Sequence, residues 1–380
     1  MAEKKSSKVK TNVFDYLIWR GDIPFTFDGV NEVDALIFTI LAYLDYPDKA
    51  TGEIITLKEA AKILSDIPEK ERPEGPDMIM DKAYEFISLA ADSERYGHLE
   101  ITDFVNMVNL ERELQFSAVT FHLPGDTRFI AVRGTDNNLI GWKEDMALSF
   151  SEEVPAQIEA AAYTRKMFEK YSGRFYIAGH SKGGNLAIWA AAHIPSQDKE
   201  RLAGVFNNDG PGFSTDFLQS GDYRDIQEKV HSFIPESSLV GVLMEHDEYE
   251  TISSTGTSIL QHAPFSWTVS GAKLVRADKR TISGAHLDNN ANAWIRSMSL
   301  EEREGFVDIL FEVLMAADAR TLGDLSGNKL KNFTAINKKI RSLDPDRKAL
   351  LKECIRKIFI NEERDSKGWL FRALFDKDND

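Results

Sequence analysis

The residues best suited to covalent chemistry sit in one short run, Ile177-Ala-Gly-His-Ser-Lys-Gly-Gly-Asn-Leu-Ala-Ile-Trp. Its centre, Gly179-His180-Ser181-Lys182-Gly183, fits G-x-S-x-G, with an apolar strand-like stretch before it and an alanine-rich helical stretch after it. A tight strand-to-helix turn at this point holds a serine in a strained backbone conformation and lifts its hydroxyl beyond the carboxyl end of a sheet. The helix N-terminus behind it supplies backbone N–H groups and partial positive charge. A bare G-x-S-x-G also arises by chance in ordinary glycine-rich turns. The correctly ordered flanks make Ser181 a predicted nucleophile.

A serine hydroxyl attacks poorly without a general base. Five histidines follow Ser181 in the chain. His193 falls on the helix leaving the motif and points away. His231 is the second residue of a strand, too early to reach its carboxyl end. His246 lies in the acidic run Glu245-His-Asp-Glu, which reads as solvated surface, and His286 opens a helical C-terminal region. His262, in the loop Leu260-Gln-His-Ala-Pro ahead of the strand-like run Phe265-Ser-Trp-Thr-Val, is the predicted base. Two carboxylates compete to orient it. Asp209, in Asn207-Asn-Asp-Gly-Pro-Gly-Phe, ends the strand after the nucleophile helix and is favoured; Glu236, in Ile234-Pro-Glu-Ser-Ser, ends the next strand and is the alternative. Upstream, Thr135 closes Phe129-Ile-Ala-Val-Arg-Gly-Thr and offers a backbone N–H and a hydroxyl to an oxyanion, with the backbone N–H of Lys182 as second donor. A plain hairpin turn is the simpler reading of Arg133-Gly-Thr. Trp142 and Asp145 are expected to brace this loop.

The elements that must position these groups follow from periodicity and punctuation. Residues 1–10 read as a short disordered basic tail. Residues 11–95 form a helical N-terminal extension expected to pack on the core: a helix over 31–45 capped by Asn31, another opened by the capping box Thr56-Leu-Lys-Glu59, and one over 77–92. Residues 96–285 alternate strand and helix. A hairpin of 115–122 and 128–132 turns at Pro124-Gly-Asp; a helix at 155–171, a strand at 174–178, a helix at 184–194, and strands at 202–207 and 229–234 follow. Strands so spaced predict an α/β protein with a mainly parallel central sheet covered on both faces, and the order serine, acid, histidine is that of the α/β-hydrolase fold. Residues 286–380 read as helical. Between the last acid candidate and His262, residues 238–262 suggest a mobile cover, an apolar helix whose Leu239, Val242, Leu243 and Met244 line an acyl pocket and then a flexible polar stretch; the alternative is that these apolar residues simply pack on the sheet.

Composition narrows the possibilities further. The 380 residues are 42% hydrophobic and 28% charged, as in a folded globular chain rather than a disordered or fibrous one. Acidic residues outnumber basic ones 61 to 46, giving a net charge of −15, which argues against nucleic acid and against a broad anionic-lipid dock. No apolar run is long enough for an integral membrane segment, and no signal-like stretch follows the basic start. The single cysteine, Cys354, excludes an internal disulfide framework and makes the cytoplasm the default compartment. No metal-ligand spacing and no phosphate loop is present, so no cofactor is expected.

Val132-Arg-Gly-Thr followed by Gly141-Trp-Lys-Glu-Asp145, together with the Gly-His-Ser-x-Gly turn, resembles the fungal-type triacylglycerol lipases (lipase class 3), which carry F-R-G-[ST] and then N-W-x-x-D. Tyr16-Leu-Ile-Trp-Arg-Gly-Asp, Asn31-Glu-Val-Asp, Asp209-Gly-Pro-Gly-Phe and Gln261-His-Ala-Pro-Phe-Ser-Trp267 look like an uncharacterised bacterial family of lipase-like α/β-hydrolases, over roughly residues 12–270. The resemblance implies Ser181 as nucleophile, His262 as base and Thr135 as oxyanion residue, with lipid or acyl esters as substrates. It also shows a departure. Class 3 lipases hold their acid in D-x-V-P after the strand containing Val230, where this chain has Ser238-Leu-Val-Gly; Asp209 instead resembles the pancreatic-type lipases, whose aspartate follows the earlier strand. The expected activity is serine-dependent hydrolysis of carboxylic esters through an acyl-enzyme, on a small-molecule or lipid ester. The alternative is an inactive or weakly active scaffold acting as a binding or regulatory protein, with a protein partner or self-association.

Overall fold

The computed structural model describes residues 10–72, 77–136, 138–238, 240–278, 280, 297–317 and 329–359. The expected tail therefore lies almost wholly outside the described residues, as do His286, Leu239 and much of the C-terminal region. Eight strands form one sheet in strictly sequential order: β1 (Ile55–Thr56), β2 (Glu100–Asn109), β3 (Leu114–Leu123), β4 (Thr127–Val132), β5 (Arg174–His180), β6 (Leu202–Asn208), β7 (Val230–Pro235) and β8 (Glu250–Ile252). β1 to β4 pair antiparallel; β4 to β8 pair parallel. The parallel half, with helical crossovers and the sites of interest at its carboxyl end, is the α/β-hydrolase arrangement.

Alternation along the strands divides the interior in two. Ile130, Val132, Phe175 and Ile177 face the helices Pro155–Lys170 and Lys182–Ala192. Successive right-handed crossovers between neighbouring parallel strands must place those helices on one face. Phe129, Ala131, Ala178 and Phe206 face the other way, into a core shared with the N-terminal helices Val13–Arg20, Glu32–Leu41, Leu57–Ser65 and Asp77–Asp92. The helix Glu32–Leu41 is buried from Val33 to Leu41, and its capping box at Asn31 closes both ways with Asp34. Each large apolar side chain so buried contributes about 1.5–3 kcal/mol. Without the N-terminal helices one face of the sheet would stand bare.

Three strand readings change. β2 has no counterpart in the sequence-based expectation, because its alternation is broken by a bulge: the register slips between Thr102 and Val105, and Asp103 takes φ 54°. β8 falls in the stretch read as polar and flexible. The run Phe265–Val269, expected as a last strand, is a 3₁₀ turn (Pro264–Ser266) leading to a short hairpin (Val269–Ser270 with Lys273–Leu274) outside the main sheet. Its aromatic residues are there for packing: Phe265 stacks on Phe14 at 5.3 Å and meets Phe86 edge-on at 5.5 Å. The helices Leu300–Met315, Lys329–Ser342 and Pro345–Phe359 form a third apolar cluster, joined by Leu139, Met146 and Phe150.

Candidate active site

Ser181 sits between β5 and the helix Lys182–Ala192 at φ 59°, ψ −136°, a region costly for any residue with a side chain. Its N–H donates to Asn208 O at 3.0 Å, tying the turn to β6. The flanking glycines are required by contact. A Cβ on Gly179 would lie 1.9 Å from Gly183 O, and one on Gly183 would lie 2.4 Å from Val132 O. The G-x-S-x-G spacing is thus the condition for helix and strand to close around the serine.

Asp209 follows β6 in the left-handed region, φ 58°, with its N–H on Phe233 O at 2.9 Å. The side chain is fully buried. Its Oδ2 accepts from His262 Nδ1 at 2.6 Å and from Ser238 Oγ at 2.7 Å, while Oδ1 has no protein partner. A carboxylate on Nδ1–H fixes the tautomer that leaves Nε2 free to take a proton. Glu236 is half-buried just beyond β7, with its N–H on Ile252 O at 3.1 Å. Of the two acid candidates it is Asp209 that contacts the imidazole.

The loop carrying His262 follows β8 and is held from three sides. Gln261 Oε1 accepts from Ser237 N at 2.7 Å, and the fully buried Trp267 donates from Nε1 to Gln261 O at 2.9 Å. His180, the variable residue before Ser181, bonds His262 O through Nε2 at 2.8 Å and Tyr43 Oη through Nδ1 at 2.9 Å. Burial holds the His180 imidazole well below the usual histidine range, and a charge on His262 pushes the same way. A neutral His180 donates from Nε2 and accepts from the tyrosine at Nδ1. The Gln261–Trp267 motif and His180 thereby position the backbone of His262.

On the opposite side Thr135 is buried, and its hydroxyl donates to Asp145 Oδ2 at 2.6 Å. That commits the hydroxyl proton and leaves the backbone N–H as the group Thr135 has to offer an oxyanion. Burial raises Asp145 to about 6, against the lowering pull of Lys182 and the Thr135 bond. Lys182 is itself buried at N1 of the helix. Its Nζ donates to Gln115 O, Gln115 Oε1 and Glu144 Oε2, each at 2.9 Å, and stands 3.8 Å from Asp145 Oδ1. Glu144 also accepts from Gln115 N and Ala156 N. Arg133 anchors the loop by donating to Asp45 at 3.0 Å and Asn106 at 2.7 Å, more than a hairpin turn requires. Trp142 and Asp145 belong to the helix Leu139–Ala147, which the sequence reading did not anticipate.

Ser181, His262, Thr135, Lys182 and Asp145 line one cavity of about 230 Å³, otherwise mostly apolar. Among the described residues no hydrogen bond joins the Ser181 hydroxyl to the imidazole; such contacts commonly tighten only around substrate. Val240, Leu243 and Met244 line the cavity, but residues 240–244 are turns and bends rather than the expected helix. They are tied down by Gly212 N to Leu243 O and by paired bonds between Phe213 and Glu245. Val242 is buried and stands outside the lining. His246, expected in solvent, is partly buried, and burial pushes it down to about 4. A wall that no sequence signal announced comes from Met298 and the helix Leu300–Met315, which contributes Arg303, Phe306 and Val307. Tyr43 was equally unmarked. Ser238 was marked only as the residue replacing the family's aspartate.

Among the described residues no group of three or more His, Cys, Asp or Glu is placed to hold a metal, and no helix is long and apolar enough to cross a membrane. No curated protein matches the chain. One solved structure, the crystal structure of M37 lipase, aligns with 56% of this chain and 70% of its own at 13% identity and a TM-score of 0.33. A family model described as Mbeg1-like matches residues 90–312, which hold the serine turn, Asp209 and His262. That match takes in more than half of the sequence, and the chain belongs to the Mbeg1-like family.

Proposed function

We propose that this protein is a serine hydrolase of carboxylic esters, lipase- or esterase-like, working through an acyl-enzyme. Ser181 Oγ attacks the ester carbonyl carbon while His262 Nε2 takes its proton. Asp209 holds Nδ1–H and stabilises the imidazolium. The carbonyl oxygen, now an oxyanion, receives the backbone N–H groups of Thr135 and Lys182. The tetrahedral adduct collapses as His262 returns the proton to the departing alcohol. Water, deprotonated by the same imidazole, then releases the carboxylic acid and restores Ser181. The lysine side chain takes no part in proton transfer; its bonds to Glu144 and Gln115 fix the helix start that presents the N–H. The apolar lining suits an acyl chain. A cytoplasmic setting goes with this reading and rests on the single cysteine.

The observation that carries the proposal is the 2.6 Å bond from His262 Nδ1 to a fully buried Asp209 beside a cavity that Ser181 faces at φ 59°. The test is covalent labelling with a fluorophosphonate, alongside hydrolysis of short p-nitrophenyl esters. Ser181 is expected to take the label, and Ser181→Ala to abolish labelling and lower turnover by about 10³-fold or more. A folded protein that neither labels at Ser181 nor hydrolyses any ester favours the scaffold alternative.

A further inference from the structure

Among the described residues, Arg303 is a cation of the cavity lining with no ion-pair partner. It lines the cavity from the first turns of the helix Leu300–Met315, as do Phe306 and Val307 of the same helix. Its Nη1 donates to Ser149 O at 2.6 Å. Its Nε is buried without a partner, and among the described residues no carboxylate pairs with it. Of the neighbouring acids in sequence, Glu302 accepts from Ser299 N at 2.8 Å in a capping box, Glu301 is held low by backbone and Ser299 bonds, and Glu304 makes no ion pair with Arg303 among the described residues. Burial is the one influence acting on the guanidinium, pulling it below the usual arginine value.

Nothing in helix energetics asks for this residue. A cation in the first turns opposes the helix dipole, and the partial burial of Arg303 without a counter-charge is unfavourable. Asp145, the carboxylate in the same cavity, is already engaged by Thr135 and has Lys182 near it. A guanidinium presents a planar fork of donors that matches two oxygens of a phosphate or carboxylate. In a chain of net charge −15, an arginine without an ion-pair partner in the lining of a mostly apolar cavity selects for an anion.

We propose that Arg303 is a specificity residue and that the substrates are anionic esters, in which the scissile acyl ester carries a second, negatively charged oxygen group that Arg303 binds. This rests on the ester-hydrolase reading of the cavity. The charge can come from a phosphate on the alcohol side or from a carboxylate at the far end of the acyl chain.

Two matched pairs distinguish these sources: hexanoyl-glycerol-3-phosphate against monohexanoylglycerol, and mono-p-nitrophenyl glutarate against p-nitrophenyl pentanoate. The full-length protein is expected to favour the anionic member of one pair by about 10–100-fold in kcat/KM. Arg303→Gln is expected to collapse that ratio toward unity, and Arg303→Lys to keep part of it. The ratio is insensitive to a general loss of folded enzyme. A second measurement needs no turnover: calorimetric binding of hexanoyl-glycerol-3-phosphate, glutarate monoesters and their neutral partners to Ser181→Ala, with and without Arg303→Gln. Tighter anion binding that depends on Arg303 in a protein without esterase activity upholds the anion-binding role of Arg303 while overturning the catalytic reading and, with it, the assignment of the anion as an ester substrate. Ester hydrolysis with no anionic preference in either pair, or a preference that survives Arg303→Gln, overturns the inference and leaves the catalytic reading intact. A purely bracing role on Ser149 O predicts lower stability with unchanged ratios, which also overturns it.

Discussion

Among the described residues, two buried polar clusters are built to opposite rules. In the N-terminal helices Asp34 and Arg95 are wholly buried and bidentate, with Nε to Oδ1 at 2.8 Å and Nη2 to Oδ2 at 2.6 Å. Arg95 donates further to Ile23 O, Asp28 O and Gly29 O, and Asp34 accepts from the hydroxyls of Tyr16 and Tyr96 and from Asn31 N. Neither residue retains a buried polar atom without a partner. Around the candidate site the count is incomplete: Asp209 Oδ1, Asp145 Oδ1, Gln115 Nε2 and Arg303 Nε are buried and unpaired. A cluster whose task is architecture satisfies every group. A cluster that must meet a changing substrate keeps groups in reserve at a cost in stability.

The contrast explains two sequence motifs that carry no chemistry. Tyr16-Leu-Ile-Trp-Arg-Gly-Asp and Asn31-Glu-Val-Asp supply the ring of donors and acceptors around Arg95. They secure the helices covering the sheet face behind β5. The turn that ends one of those helices, Glu32–Leu41, carries Tyr43, whose hydroxyl meets His180 and, through it, the backbone of His262.

The comparison is broken first at the clamp. Arg95→Met leaves Asp34 buried without its partner and is expected to cost about 3–5 kcal/mol of stability. Chemical denaturation measures the loss, and turnover per folded molecule is expected to stay within about threefold, since the clamp touches no reacting group. A large fall in turnover with stability intact would place the clamp in the site's function and dissolve the contrast.

A smaller effect sharpens the other half. Asp145 is raised from 3.8 to about 6 by burial, so the native state binds its proton more tightly than the unfolded chain does. Its contribution to stability is present at low pH and is lost as pH rises through about 6. Asp145→Asn removes that loss. Measured by urea midpoints, the variant is expected to gain on the wild type between pH 4 and pH 7; a gap that is constant with pH would show that burial does not hold the Asp145 proton.

What the sequence made legible was whatever one stretch of chain encodes by itself. The serine turn could be read because Gly179 and Gly183 must touch, and the capping boxes at Asn31 and Thr56 because each closes over four residues. Asp209 and His262 could be proposed because chain order restricts which strand ends are available. β2 escaped because a bulge at Asp103 breaks its alternation. Phe265–Val269 misled because aromatic residues packed on helices imitate a strand. Tyr43 and Arg303 were invisible for a different reason: they reach the cavity from a turn and a helix more than a hundred residues from Ser181 on either side, and only tertiary packing decides that.

The central claim is that the Asp209–His262 pair serves Ser181 in bond cleavage. Comparing Asp209→Asn with Glu236→Gln for kcat on a short p-nitrophenyl ester tests it most directly. The account predicts a fall of about 10²–10⁴-fold for Asp209→Asn, because the imidazole loses the partner that fixes its tautomer, and less than about tenfold for Glu236→Gln. A mild Asp209→Asn beside a severe Glu236→Gln would contradict it.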